Sequence, residues 1–376
     1  GQLALAEGNF ADATGHFRRA LGLQESALGA HNPETAMTLN NLGVALSRLG
    51  KFDEALNAYE RALQVHLETS GPAHPNTAST MQNLTVILTR SQRYKEALYY
   101  AERALTIREA ALGPDHPEVA TSLQSLSKLY RKMGSPEKSL EALQRALVIR
   151  EKENAEGAAA AQVHDDLGHF FFERRDFKEA VAQTQRAVDI FDKVLGPDNP
   201  RSAGTHELLG VAFSKLGQWD KARGQLEGAL SMRRNRLGDS HVDVASSLNA
   251  LGDLAFDQGH FEQAKAQYEA AFAVRHKALG PNRPELATDL QGVGRALLAL
   301  KKPQEAVAVL RQAVDLREKG DESWDLAMAR FDLARAVWEQ GAEHRAQALE
   351  LCAQALPALD GAAKVEIEKW VLAHPL

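Results

Sequence analysis

The chain is short of the residues that most often carry chemistry. Of its 376 residues only one is cysteine, Cys352, which excludes an internal disulfide and any cysteine-based zinc site. Within Leu349-Glu-Leu-Cys352-Ala the thiol falls on an apolar helical face and reads as a small buried hydrophobe. Aromatic residues make up 6 %, so any core must rest on aliphatic and small side chains. Positive charge is not in excess. The formal net charge is −6, which excludes a global basic field of the kind that gathers nucleic acid. No apolar run approaches the roughly 18 residues of a membrane span, and no signal peptide is visible. These absences point to a cytoplasmic protein with neither nucleic acid nor membrane as partner.

What is present is repetition. Gly43, Thr85, Ser127, Gly168, Gly210, Gly252, Gly294 and Ala334 stand at a nearly constant step of 42 residues. Ala55, Ala97, Ser139, Ala180, Ala222, Ala264, Ala306 and Ala348 form a second series in step with the first. Ala62, Ala104, Ala146, Ala187, Ala229, Ala271, Ala313 and Ala355 form a third. Small residues recurring in register mark places where backbones approach closely. Between them, apolar residues recur at helical spacing, as in Ala36 to Leu49 and again from Phe52. Each unit therefore reads as two helices broken at Gly50-Lys51, with Leu42, Leu46, Tyr59 and Leu63 filling the space between. One such pair cannot bury its own apolar face, so neighbours must stack.

Gly43, Ala55, Tyr59 and Ala62 stand at the small/small/aromatic/small spacing of the tetratricopeptide (TPR) repeat, and the chain resembles that family along nearly its whole length. The usual period is 34; here it is 42. "YERALQVHLETSGPAHPNTASTMQNL" and "AERALTIREAALGPDHPEVATSLQSL" look like the 42-residue repeats of kinesin light chain. The resemblance implies an all-α, right-handed superhelix of antiparallel helix pairs, an α-solenoid. About eight full repeats are expected, with a truncated first one and a C-terminal capping helix. The expected divisions are 1–29 for the truncated repeat, 30–155 for repeats two to four, 156–320 for five to eight, 321–359 for a degenerate last repeat and 360–376 for the cap. Gly1 falls on the register of Gly43, so the sequence is expected to be a fragment of something longer. Two joints depart from the rule, at 151–161 and 318–326, and a bend is expected there. Val365, Ile367, Trp370 and Val371 are expected to cover the last repeat. The alanine- and leucine-rich end, closing on "EKWVLAH", also loosely resembles TPR tails of multidomain bacterial serine/threonine kinases. That implies a regulatory role in a larger signalling protein as the alternative to a scaffold.

"LGPDHPEVATSLQSL", from Leu112 to Leu126, tests whether the repeat carries a reactive site. His74, His116 and His241 share one slot of the register, with Asn32 and Asn199 in it elsewhere. Packed helices lie about 8–10 Å apart, while zinc ligands sit about 2 Å from their metal. Histidines one repeat apart therefore cannot meet on one ion. The stretch reads as a joint instead. Gly113 closes a helix in the left-handed conformation, Pro114 stops it, His116 caps the next one, and Pro117 opens it. No Walker lysine loop, nucleophile elbow, kinase signature or dinucleotide glycine pattern occurs. Asp165 and Asp166 read as a solvated face. No catalytic residue, metal or cofactor is expected.

The family resemblance implies that the first helix of each pair lines a concave face, through its second, fifth, ninth, twelfth and thirteenth positions. With Gly43 as the eighth, the fifth positions include Asn40, Gln82, Gln124, Asn249 and Gln291. Carboxamides both donate and accept, so this row either satisfies the backbone of an extended peptide or bonds within itself and to water. Asn41 and Asn83 match the Asn-Leu motif of kinesin light chain's groove helices, or brace the neighbouring helix. The thirteenth positions run Arg48, Arg90, Lys132, Glu173, Lys215, Asp257, Ala299, Glu339, basic first and mostly acidic later. Lys128 and Arg131 join the basic half. Those cations either complement helix C-termini or hold an acidic peptide or carboxylate terminus. At about 3.3 Å per extended residue, the basic half would take a segment of roughly 8–12 residues. Kinesin light chain's acidic, aromatic-containing ligands imply the same class here. The expected partner is a protein or peptide segment.

Overall fold

The structure, a computed structural model, describes residues 1–199, 202–319 and 324–375. Among them every regular element is a helix. The chain divides into two compact units, Gly1–Phe170 and Phe171–Leu376. The first unit contains α1 (Gln2–Ala6), α2 (Phe10–Leu28), α3 (Pro33–Arg48), α4 (Phe52–Thr69), α5 (Pro75–Arg90), α6 (Tyr94–Leu112), α7 (Pro117–Lys132), α8 (Pro136–Asn154) and most of α9 (Ala158–Glu173). The second contains α10 (Phe177–Leu195), α11 (Ala203–Lys215), α12 (Trp219–Leu237), α13 (Val242–Asp257), α14 (Phe261–Leu279), α15 (Ala287–Ala299), α16 (Pro303–Glu318), α17 (Trp324–Trp338), α18 (Arg345–Ala355) and α19 (Gly361–Ala373). The expected element order is met: a truncated first repeat (α1 and α2), eight further helix pairs along the chain and a terminal helix. The joint at 318–326 lies partly outside the described residues.

Within each unit a helix packs on its partner and on the next pair. Every member of the second and third small-residue series is fully buried, from Ala55 and Ala62 to Ala348 and Ala355. The first series shows why size matters. A Cβ on Gly43 would lie 2.6 Å from the Tyr59 ring, so the glycine lets α3 and α4 close over a buried aromatic side chain. Where the register holds a hydroxyl instead, the hydroxyl finds a partner: Ser127 and Ser139 are 2.7 Å apart. Leu39, Leu46, Leu84, Ile87 and Leu88 fill the core of the first unit, and Leu310, Phe331 and Val337 that of the second.

The Gly-Pro-Asp-His-Pro stretch is a joint between α6 and α7. The Glu118 N–H donates to His116 Nδ1 at 3.2 Å. His74, His241 and Asn32 accept in the same way from Asn76, Asp243 and Glu34. Each side chain satisfies one of the N–H groups that a helix start leaves unpaired. His116→Ala should therefore lower stability by about 1 kcal/mol, while His116→Asn should not; paired thermal melts would show the difference. One expectation is corrected. Gly113 has φ +89 but ψ 156, an extended ψ rather than the left-handed helical one. The proline that follows forbids the helical ψ, and the resulting conformation is open essentially only to glycine.

The terminal helix docks through Ile367, which is fully buried, and through Trp370 and Val371, which pack partly buried on the last pair. Val365 does not take part: it is 45 % exposed, because it lies on the opposite side of α19 from Ile367 and Trp370.

Candidate protein-interaction face

In both units successive first helices exchange side chains directly. Asn83 Nδ2 on α5 donates to Asn40 Oδ1 on α3 at 2.9 Å. Gln124 on α7 donates to Asp166 on α9 at 2.8 Å, and Gln291 on α15 to Asp332 on α17 at 3.4 Å. In each case the fifth position of one first helix meets the sixth of the next. Asn249 on α13 reaches Asp289 on α15 in the same direction. The carboxamide row thus knits neighbouring pairs together. Phe331, which holds the fifth position of α17, is buried in the core and presents nothing to a ligand. Asp166 corrects a second expectation. It is 5 % exposed, not solvated, because it faces α7 and takes both Gln124 and the Lys128 ammonium, the latter at 3.2 Å. Asn41 lines a shallow cleft with Gln24 and Met37 at the start of the first unit.

A second set of residues escaped the sequence reading. Arg108, Arg150, Arg233, Arg275 and Arg317 lie one or two repeats apart near the ends of second helices, with side chains between 6 and 12 % exposed. Arg108 donates to Gln82 Oε1 at 3.2 Å and to Ser122 at 2.6 Å. Arg317 donates to Gln291 Oε1 at 3.0 Å and to Thr288 at 3.0 Å. Arg233 bonds Glu207 and Ser247, and Arg275 bonds Asp289. Each arginine clamps a polar side chain of a first helix. The signal was in the sequence as "TIREA", "VIREK", "SMRRN", "AVRHK" and "DLREK", a fourth register of polar residues. An arginine at a helix end reads as solvated until its neighbours are known.

The thirteenth positions behave differently. Arg48, Arg90, Lys132 and Lys215 are exposed. Lys215 is neutralised by Asp257 of the next first helix at 2.8 Å, just as Lys128 is by Asp166. Among the described residues Arg48, Arg90 and Lys132 make no ion pair. Arg90 instead lies 5.8 Å from the Phe52 ring centroid, which leaves its in-plane N–H donors unoccupied. Arg48 and Arg90 both act on one buried phenol. Burial pushes the Tyr59 hydroxyl well above its ordinary value, and the two guanidinium groups pull it back. Arg131 beside them is half-buried. The same helices expose Met37 (54 %), near the start of α3, and Val86 (43 %), one turn before Arg90 on α5. The first unit therefore presents three unneutralised cations and apolar patches along one set of helices.

Cys352 is 1 % exposed, and burial pushes its thiol up to about 11, so it stays protonated and inert at neutral pH. Among the described residues no three His, Cys, Asp or Glu side chains are grouped as metal ligands, and no helix is long and apolar enough to cross a membrane.

Comparison with known proteins follows the same repeats. The family model of the tetratricopeptide repeat matches residues 1–66, 45–110, 86–152, 158–235, 202–275 and 243–319. No curated protein matches at a significant level. Among solved structures, the apo form of RapI is similar with a TM-score of 0.56 at 19 % identity, over 73 % of this chain and 95 % of that one. A tetratricopeptide repeat protein from Parabacteroides merdae gives 0.54 at 17 % identity, over 81 % and 99 %. A kinesin-light-chain-like protein from Podosopora anserina with nearly identical TPR-like repeats gives 0.49 at 21 % identity, over 55 % and 99 %.

Proposed function

Since the chain belongs to the tetratricopeptide repeat family, we propose that it is a protein-interaction scaffold whose first unit binds an acidic, partly apolar peptide segment along its first helices. The observation that carries this reading is the contrast between the two rows. The fifth-position amides are spent on neighbouring helices, whereas Arg48, Arg90 and Lys132 remain exposed without a carboxylate partner. Three like charges repel one another, and an acidic ligand relieves that repulsion. Helix-dipole complementarity accounts for one cation at each helix end but not for the exposed Val86 and Met37 on the same helices. Those apolar side chains supply contact area for an aromatic or aliphatic residue of the ligand. The ligand's backbone cannot rely on the amide row, so charge and apolar contact dominate recognition.

The test is fluorescence anisotropy with labelled ten-residue peptides rich in Glu and Asp and containing one aromatic residue. Arg90→Glu/Lys132→Glu should weaken binding at least tenfold, since each charge-assisted contact contributes about 1.5–3 kcal/mol. Wild-type affinity should also fall between 50 and 300 mM salt, as expected for exposed charges. Equal affinity for wild type and the double variant at the same salt would rule the reading out.

A further inference from the structure

The second unit holds a cavity that charge along the thirteenth positions does not reveal. About 320 Å³ of space is bordered by α13, α15 and α17, with Trp370 of α19 forming an end wall. Its cations are Arg295, Lys301 and Arg335, and its apolar walls are Phe256, Leu298 and Trp370. Arg295 and Arg335 stand at ninth positions of α15 and α17, one turn before the thirteenth.

Three features make this a formed site. First, the cations have capacity left. Among the described residues Arg295 and Lys301 make no ion pair, and the nearest carboxylate oxygen to Arg335, on Asp332, is 4.0 Å away. The guanidinium of Arg295 lies 4.9 Å from the Phe256 ring centroid, and that of Arg335 lies 5.9 Å from Phe331. Contact through the face of a guanidinium leaves its edge donors for another acceptor. Second, the carboxylates around Arg295 already have partners: Asp253 takes the Tyr268 hydroxyl at 2.7 Å, and Asp332 takes Gln291. Glu339 is the one carboxylate on the lining among the described residues. Third, the aromatic wall is fixed. Trp370 meets Trp338 at 5.5 Å, Phe331 at 5.8 Å and His374 at 4.2 Å between ring centroids.

We infer that this cavity binds a carboxylate carried on a flat apolar body, the acid held by Arg295 and Arg335 and the body placed against Leu298 and Trp370. The forked guanidinium matches a planar carboxylate with two parallel bonds. A bare phosphate would leave the apolar lining of Leu298 and Trp370 uncovered. The space of about 320 Å³ is enough for one aromatic acid or one terminal residue. The inference uses residues of the second unit alone and stands apart from the reading of the first unit.

Two sources could present this chemistry, a free aromatic acid or the carboxyl end of a chain. Titration calorimetry on the full chain separates them. The probes are phenylacetate against phenylacetamide, and a peptide ending in phenylalanine with a free against an amidated terminus. A charged probe should bind with a Kd on the order of 0.1–1 mM, with its neutral counterpart at least tenfold weaker. Arg295→Gln should weaken the charged probe about tenfold, and the Trp370 indole N–H resonance should shift on binding only in wild type. Circular dichroism checks that the variant folds, and Arg335→Gln repeats the test at an independent residue. Binding of phenylacetate assigns a free acid, and binding of the free-terminus peptide alone assigns a chain end. Failure of both probes, or affinities unchanged in Arg295→Gln and Arg335→Gln, would overturn the inference.

Discussion

Arg275→Ala should destabilise the second unit by roughly 3–5 kcal/mol, the cost of leaving a buried charge without its partner. The side chain of Asp289 is fully buried and is bonded by Arg275 and Asn249, while its Oδ2 has no hydrogen-bond partner. Burial pushes the Asp289 carboxyl above its ordinary value, and Arg275 and then Asn249 pull it back. Without Arg275 the carboxyl rises further. A carboxyl with a higher pKa folded than unfolded binds its proton more tightly in the fold, so stability falls as pH rises through that window. The deficit of Arg275→Ala should accordingly shrink between pH 7.5 and pH 5. Urea denaturation at several pH values reads both effects. Arg275→Met/Asp289→Leu should recover most of the loss, because an apolar pair of similar volume removes the desolvation cost from both sides. A loss independent of pH would show that the arginine acts through its alkyl packing instead.

Gly292→Ala should cost about 3 kcal/mol, at the upper end for one added methyl. Its Cβ would lie 2.5 Å from the Tyr268 ring, whose other contacts include Gly252, where a Cβ would come within 2.6 Å. The ring is 2 % exposed and its hydroxyl is tied to Asp253, so it cannot swing aside. In Gly292→Ala/Tyr268→Leu the smaller side chain should make the two effects less than additive by 1 kcal/mol or more. Hydrogen exchange would place the weakening in α13 to α15, since stacked repeats lose stability near the altered interface.

The helix pairs were legible because their constraints repeat. Ala55 or Ala62 cannot grow without parting two backbones, so the same small residue returns every 42 positions. The joints were legible for the same reason, with His116 and Asn32 doing one capping task. The carboxamide row was legible only by position. Register singled out Asn40, Gln124 and Gln291, but could not tell that each is answered from the next repeat. Asn83 and Asp166 stand 42 or 43 residues away, and pairing across that separation depends on how helices are offset. The clamping arginines were missed because a charged residue near a helix end has a ready surface explanation. The cavity beside Trp370 was missed for another reason. The terminal helix lies outside the repeat, so no register relates it to Phe256 or Arg295.

If the first helices of the first unit carry the partner, a photo-crosslinking residue at position 86 should capture it. One at position 99 should not, although Val86 and Tyr99 are both exposed, at 43 % and 55 %, because Tyr99 lies on a second helix. The measurement is the ratio of crosslinked acidic peptide at the two positions, repeated in Arg90→Glu. The account predicts strong capture at 86, background at 99, and loss at 86 when the charge is reversed. Equal capture at both positions, or capture at 86 that survives Arg90→Glu, would contradict it.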